Sequence, residues 1–263
     1  APPGDSQGGA LPLLAWRDLS VVYHGTSSPA LHPCSAELHA GEVVALVGPN
    51  GSGKSTLLRA LAGALTAGGE IFDGNVPRQP GLAADPQRLA WLPQQPGWDA
   101  EATVNELVEL GRTPWLSQTA AGRFFGQPSA ADRGAVDVAL ARAELSDRRT
   151  ARLDTLSGGQ RQRAFVAMIL AQGARVLLLD EPTTSLDLPQ AARTLALLRE
   201  QARAEGGLVV LAIHDLNLAL RYADRVAVLG EGRLVDICVP GSSRMAEALG
   251  TVFGEDIRLF LSS

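Results

Sequence analysis

Five apolar residues, Val43, Val44, Ala45, Leu46 and Val47, run directly into a glycine-rich turn. Beyond the turn, Leu57, Leu58, Leu61 and Leu65 recur at helical spacing. A buried strand, a tight loop and a helix in that order commit the chain to an α/β build. In that build, ligands sit beyond the carboxyl ends of the strands. The turn, Gly48-Pro49-Asn50-Gly51-Ser52-Gly53-Lys54-Ser55-Thr56, fits G-x-x-x-x-G-K-[ST]. Its glycines let successive N–H groups point inward at phosphate oxygens, and the positive end of the following helix adds to the attraction. Lys54 is expected to reach the β- and γ-phosphates, and the Ser55 hydroxyl to ligate Mg²⁺.

The remaining pattern agrees with a sheet flanked by helices. Strand spacing appears over residues 14–23, 176–179 and 209–213. Residues 226–229 and 233–237 read as a hairpin turning through Gly230, Glu231 and Gly232. Between residues 101 and 153 the character changes. Thr103 with Glu106, and Ser129 with Asp132, are capping-box patterns, and no strong strand signal separates them. The expected fold class is α/β. It has a mainly parallel sheet core over 13–97 and 154–240, an inserted helical subdomain over about 98–153 and a C-terminal segment over 241–263. Residues 245–260 read as a helix with a closing strand. Residues 1–12 are expected to be a disordered tail, because the segment is rich in Pro, Gly, Ser and Gln and lacks the charged and apolar blocks of a secretory signal.

Val176, Leu177, Leu178 and Leu179 end in Asp180 and Glu181. A buried strand would deliver Asp180 to the sheet edge to hold Mg²⁺ through water. Glu181 could there polarise an attacking water as general base. Composition narrows the partners. A net charge of -5 opposes phosphate-driven nucleic-acid binding, and no apolar run of about 18 residues is present to span a bilayer. Cys34 and Cys238 form neither a metal pair nor a disulfide framework. His24, His32 and His39 lack any catalytic context and are expected at the surface.

Leu156-Ser157-Gly158-Gly159-Gln160 precedes an apolar-periodic stretch, residues 165–170, and should sit at a helix N-terminus. This segment resembles the signature of the ABC ATPase family. A P-loop kinase has no use for it. Other positions are similar to the family in order. The resemblance implies that Tyr23 stacks on adenine. It implies that Gln94 (with Gln95 as its immediate neighbour) touches the metal and the attacking water and adjoins a membrane partner. Ser185-Leu186-Asp187 looks like the D-loop, and His214 like the switch histidine at the γ-phosphate. It further implies a homodimer, in which Ser157 and Gly159 of one copy cap ATP held by the other. The family fold is a P-loop core with an antiparallel β portion and the helical insertion. The expected ligands are ATP and Mg²⁺.

Thr103-Val104-Asn105-Glu106-Leu107-Val108-Glu109-Leu110-Gly111-Arg112-Thr113-Pro114 resembles ATPase subunits of importers for iron-siderophores, haem and cobalamin, as does the segment 214–224. That likeness implies polytopic permease subunits as partners, a substrate-binding protein as an indirect one, and a peripheral position on the cytoplasmic face of the inner membrane. The rival reading is a soluble ABC-type ATPase that serves an iron–sulfur scaffold or acts on nucleic acid.

Overall fold

The computed structural model describes residues 11–26, 28–116 and 128–254 of the 263. Three strands without an exposed residue form its centre: β3 (Val43–Val47), β7 (Val176–Asp180) and β8 (Leu208–Ala212). Strands buried on both faces read as continuous apolar runs, which is why these three were legible as sequence. They belong to a six-stranded sheet in the order β10-β9-β3-β8-β7-β6, with β6 at Leu89–Leu92, β9 at Arg225–Gly230 and β10 at Arg233–Cys238. All neighbours pair parallel except β9 with β10, the expected hairpin. A second, antiparallel sheet has the order β2-β1-β4-β5, from Leu14–Val21 (β1), Leu31–Leu38 (β2), Gly68–Asp73 (β4) and Val76–Arg78 (β5).

Alternate residues of β3 enter two different cores, as a period of two requires. Val44 and Leu46 pack with α1 (Lys54–Ala62) and the antiparallel sheet. Val43, Ala45 and Val47 face the other way, into a core completed by six helices. These are α2 (Val104–Leu110), α3 (Ala130–Arg142), α4 (Gly158–Gln172), α5 (Leu188–Ala204), α6 (Leu216–Tyr222) and α7 (Ser243–Phe253). Among the described residues no helix is long and apolar enough to cross a membrane. The expected tail falls mostly outside the described residues, and Pro12 is already buried. The expected closing strand after α7 also lies outside them. His24 is exposed, whereas His32 and His39 are half-buried.

Both capping boxes form. Thr103 accepts from the Glu106 N–H at 3.2 Å, and Glu106 accepts from the Thr103 N–H at 2.7 Å. Asp132 accepts from the Ser129 N–H at 2.9 Å and the Ser129 hydroxyl at 2.7 Å. The ends of the inserted stretch meet: Val104 N–H donates to the Ala151 carbonyl at 3.0 Å and Leu153 N–H to that of Ala102 at 2.9 Å. Arg112 then fastens three helices together. Its Nε donates to Asp132 Oδ1 at 2.9 Å, at the start of α3, and its Nη1 to the Ala171 carbonyl at 2.7 Å, near the end of α4. Its guanidinium also lies 5.1 Å from the Trp115 ring centre.

The Ser129 hydroxyl, with help from Arg112 and against burial, holds the Asp132 carboxyl below the usual carboxylate range. A carboxyl depressed in the folded state stabilises above its unfolded value, and that contribution disappears as pH falls through the folded one. Asp132→Asn should therefore lose about 1 kcal/mol at pH 7, roughly 2–4 °C in unfolding temperature. The gap from the parent should begin to narrow below about pH 4 and go on closing as pH falls through the lower, folded value. Melting curves from pH 7 to 3 read this directly; a gap unchanged at low pH would remove Asp132 from the capping and pairing role.

Candidate functional site

The loop between β3 and α1 curls because its first residue must come close to another strand. A Cβ on Gly48 (φ 156°) would run into the Leu229 carbonyl of β9 and the Ser52 hydroxyl. Alanine cannot occupy that position without moving backbone. At the far end Gly53 caps α1 without any side-chain hydrogen bond, so no side chain takes up the first N–H groups of the helix. Asn50, Gly51, Ser52, Gly53, Lys54, Ser55 and Thr56 line one wall of a cleft of about 500 Å³. Lys54 is buried, and its Nζ donates to the Gly48 and Pro49 carbonyls at 2.8 and 2.9 Å. Burial lowers its pKa, against the opposing pull of Glu181 and Asp180. An anion entering the cleft would thus meet a cation whose desolvation is already in place.

The other groups of the site come from strand ends and the turns that follow them. Tyr23, just past β1, is 37% exposed and its hydroxyl lies 3.2 Å from Thr56 Oγ1. Asp180 closes β7 and is buried; its Oδ1 accepts from the Ser55 hydroxyl at 3.0 Å. Burial pushes the Asp180 carboxyl up, and the Ser55 hydrogen bond works against that. The next residue, Glu181, takes the left-handed conformation at φ 55°. For a non-glycine residue this costs about 1 kcal/mol and marks an imposed geometry.

The Glu181 carboxylate is held from three sides. Gln94 Nε2 donates to Oε2 at 2.9 Å, Thr184 Oγ1 donates to the same oxygen at 3.1 Å, and His214 Nε2 lies 2.5 Å from Oε1. A carboxylate has about four lone-pair positions, so three contacts leave room for a fourth partner. Gln94 and His214 line the cleft with Glu181. Gln95 does not, which separates the two adjacent glutamines. Sequence reasoning missed Thr184; its signal was a hydroxyl three residues beyond a carboxylate in a turn.

Ser157, Gly158, Gly159 and Gln160 lie elsewhere. None lines the cleft among the described residues. Ser157 and Gln160 form a capping box at the start of α4: Gln160 N–H donates to Ser157 Oγ at 3.2 Å, and Ser157 N–H to Gln160 Oε1 at 3.0 Å. Ser157 and Gly158 are exposed, but Gly159 is buried. A Cβ on Gly159 would sit 2.6 Å from Gln190 Oε1 and 3.4 Å from the Ser185 carbonyl. A side chain at 159 would have to displace the Gln190 amide, a packing contact within its own chain that the signature pattern did not announce.

A phosphate-type loop at the end of β3, close to paired acidic residues at the end of β7, one strand beyond β8, defines a P-loop nucleotide-binding protein. The chain belongs to the ABC transporter family, whose profile matches residues 31–184. It is 39% identical to the petrobactin import ATP-binding protein FpuC of Bacillus anthracis, over 92% of this chain and 88% of that protein. It is 41% identical to the hemin import ATP-binding protein HmuV of Streptomyces coelicolor, over 90% and 82%. It is also 41% identical to the cobalamin import ATP-binding protein BtuD of Halobacterium salinarum, over 89% of this chain; it spans only 57% of that relative's length. Among solved structures, a metal-chelate type ABC transporter in an inward-facing conformation aligns with a TM-score of 0.74 at 26% identity, over 92% of this chain and 89% of that one. The dimeric ABC transporter cassette MJ0796 aligns with a TM-score of 0.74 at 27% identity, over 86% and 98%.

Proposed function

We propose that this chain is the ATP-hydrolysing subunit of an importer, acting as a homodimer on polytopic permease subunits at the cytoplasmic face of the inner membrane. The observation that carries the chemistry is the Glu181 carboxylate, next to Asp180 in the chain and lining the same cleft as Lys54. In this reading the N–H groups of residues 50–56 and Lys54 bind the phosphates of ATP, and Tyr23 stacks on the adenine. Glu181 takes the proton of a water that attacks the γ-phosphorus. The bond from that phosphorus to the bridging oxygen breaks, leaving ADP and inorganic phosphate. His214 holds Glu181 Oε1 and faces the γ-phosphate position. Gln94 holds Oε2 and orients the water.

The oxygen donors Ser55 Oγ and Asp180 Oδ1, only 3.0 Å apart, fit a hard divalent cation, with the Gln94 amide oxygen as a third. Mg²⁺ held there would neutralise charge on the β- and γ-phosphates.

The need for two copies rests on the separation of half-sites. Ser157 and Gly158 are exposed on α4 but outside the cleft of their own chain. They are free to close over ATP held by a second copy, as an isologous pair would. The dimeric cassette structure agrees with this. The relatives' names support uptake of a metal chelate, with iron-siderophore first and haem or cobalamin next. A substrate-binding protein would take part indirectly, and no nucleic acid is involved.

Ser157→Arg tests the arrangement. It should leave ATP affinity of the single chain within about twofold, since the cleft is untouched. It should abolish the dimer that ATP induces, because an arginine cannot fit where a serine meets phosphate. Sedimentation with nucleotide, in a Glu181→Gln background that prevents turnover, reads the result. A surviving dimer would rule out the proposed lid.

A further inference from the structure

Of the three groups on the Glu181 carboxylate, two arrive from distant segments. Gln94 follows β6 and His214 follows β8, so their hold depends on how those loops sit. Thr184 is different. It lies in the same turn as Glu181, its own N–H donates to the Glu181 carbonyl at 3.2 Å, and its hydroxyl donates to Oε2 at 3.1 Å. The turn lies against the start of α4. Ser185, left-handed at φ 69°, has its Cβ 3.4 Å from where a Cβ on Gly158 would stand, and its carbonyl oxygen at the same distance from where one on Gly159 would stand. A glutamate with three rotatable side-chain bonds, in a strained backbone conformation, needs such a local anchor to keep one carboxylate orientation when Gln94 turns toward a ligand.

We propose that Thr184 is a positioning residue for hydrolysis, its hydroxyl fixing the Glu181 carboxylate in the orientation that receives the proton of the attacking water. This rests on the reading of Glu181 as the base. Thr184→Val keeps the shape and removes the donor; Thr184→Ser keeps the donor. Thr184 is exposed, in a turn, so neither variant disturbs the core.

The test is steady-state and single-turnover ATP hydrolysis by the full chain with Mg²⁺. Thr184→Val should lower kcat about tenfold, the worth of one hydrogen bond to a charged group, and leave KM for ATP within twofold. Thr184→Ser should stay within twofold of the parent. In a Glu181→Gln background, Thr184→Val should subtract nothing further, because the group it positions is gone. The proposal is overturned by parental kcat in Thr184→Val, by equal losses in the serine and valine variants, or by a full tenfold loss added to Glu181→Gln. Glu181→Gln also separates the two readings. If it hydrolyses ATP at the parental rate, the base assignment fails and the role of Thr184 falls with it. If it is inert while Thr184→Val is unaffected, only the role of Thr184 is lost.

Discussion

Glu181→Gln is expected to bind ATP as the parent does, to hydrolyse it about 10²–10³-fold more slowly, and to accumulate as an ATP-bound dimer. The glutamine keeps the size of the side chain and can still accept from Gln94 or Thr184 through its one carbonyl oxygen. What it loses is the ability to take a proton, and general-base catalysis contributes on that order. Binding should be spared, since the groups that bind phosphate belong to the loop and the start of α1, which the substitution leaves intact. Turnover and sedimentation measured together decide the matter. A variant that turns over at the parental rate, or one that loses ATP affinity along with activity, would show that Glu181 is not the base.

Lys54→Ala is expected to weaken ATP binding about 100-fold, in the range of a charge-assisted phosphate contact. Two effects add. The side chain that would reach the phosphates disappears, and the Gly48 and Pro49 carbonyls lose the ammonium that now holds the loop in its curl. Because Lys54 is buried, part of its desolvation has already been met in folding. Equilibrium titration with a fluorescent ATP analogue reads the affinity. An unchanged Kd would disprove the phosphate cradle.

The parts of this fold that could be read as sequence are those where local chemistry and tertiary environment agree. β3, β7 and β8 are buried on both faces and therefore carry unbroken apolar runs. The two capping boxes announced α2 and α3, because each is a reciprocal pair within four residues. The antiparallel sheet was harder to see. Only β1 was placed; β2 carries Pro33 and an alternating half-exposed face, β4 opens on two glycines, and β5 is three residues long with a proline at its centre. Such strands owe their form to neighbours, not to their own pattern.

The phosphate loop and the pair Asp180 and Glu181 were legible because backbone geometry and charge must be spelled out in adjacent residues. Tyr23, Gln94, His214 and the segment 157–160 came from family resemblance, since nothing local dictates their company. Thr184 was missed for the converse reason. Its partner is near in sequence, but a threonine in a turn has many uses, and only the folded chain shows which carboxylate it meets.

The segment that resembles the importer branch has a mechanical meaning once folded. Arg112 bolts the end of α2 to the start of α3 and the end of α4, the helix whose other end bears Ser157. In the proposed dimer, a tilt imposed on Ser157 would be passed along α4 to its other end, some fifteen residues away, where Arg112 joins the helices and Leu110 and Trp115 stand open to solvent.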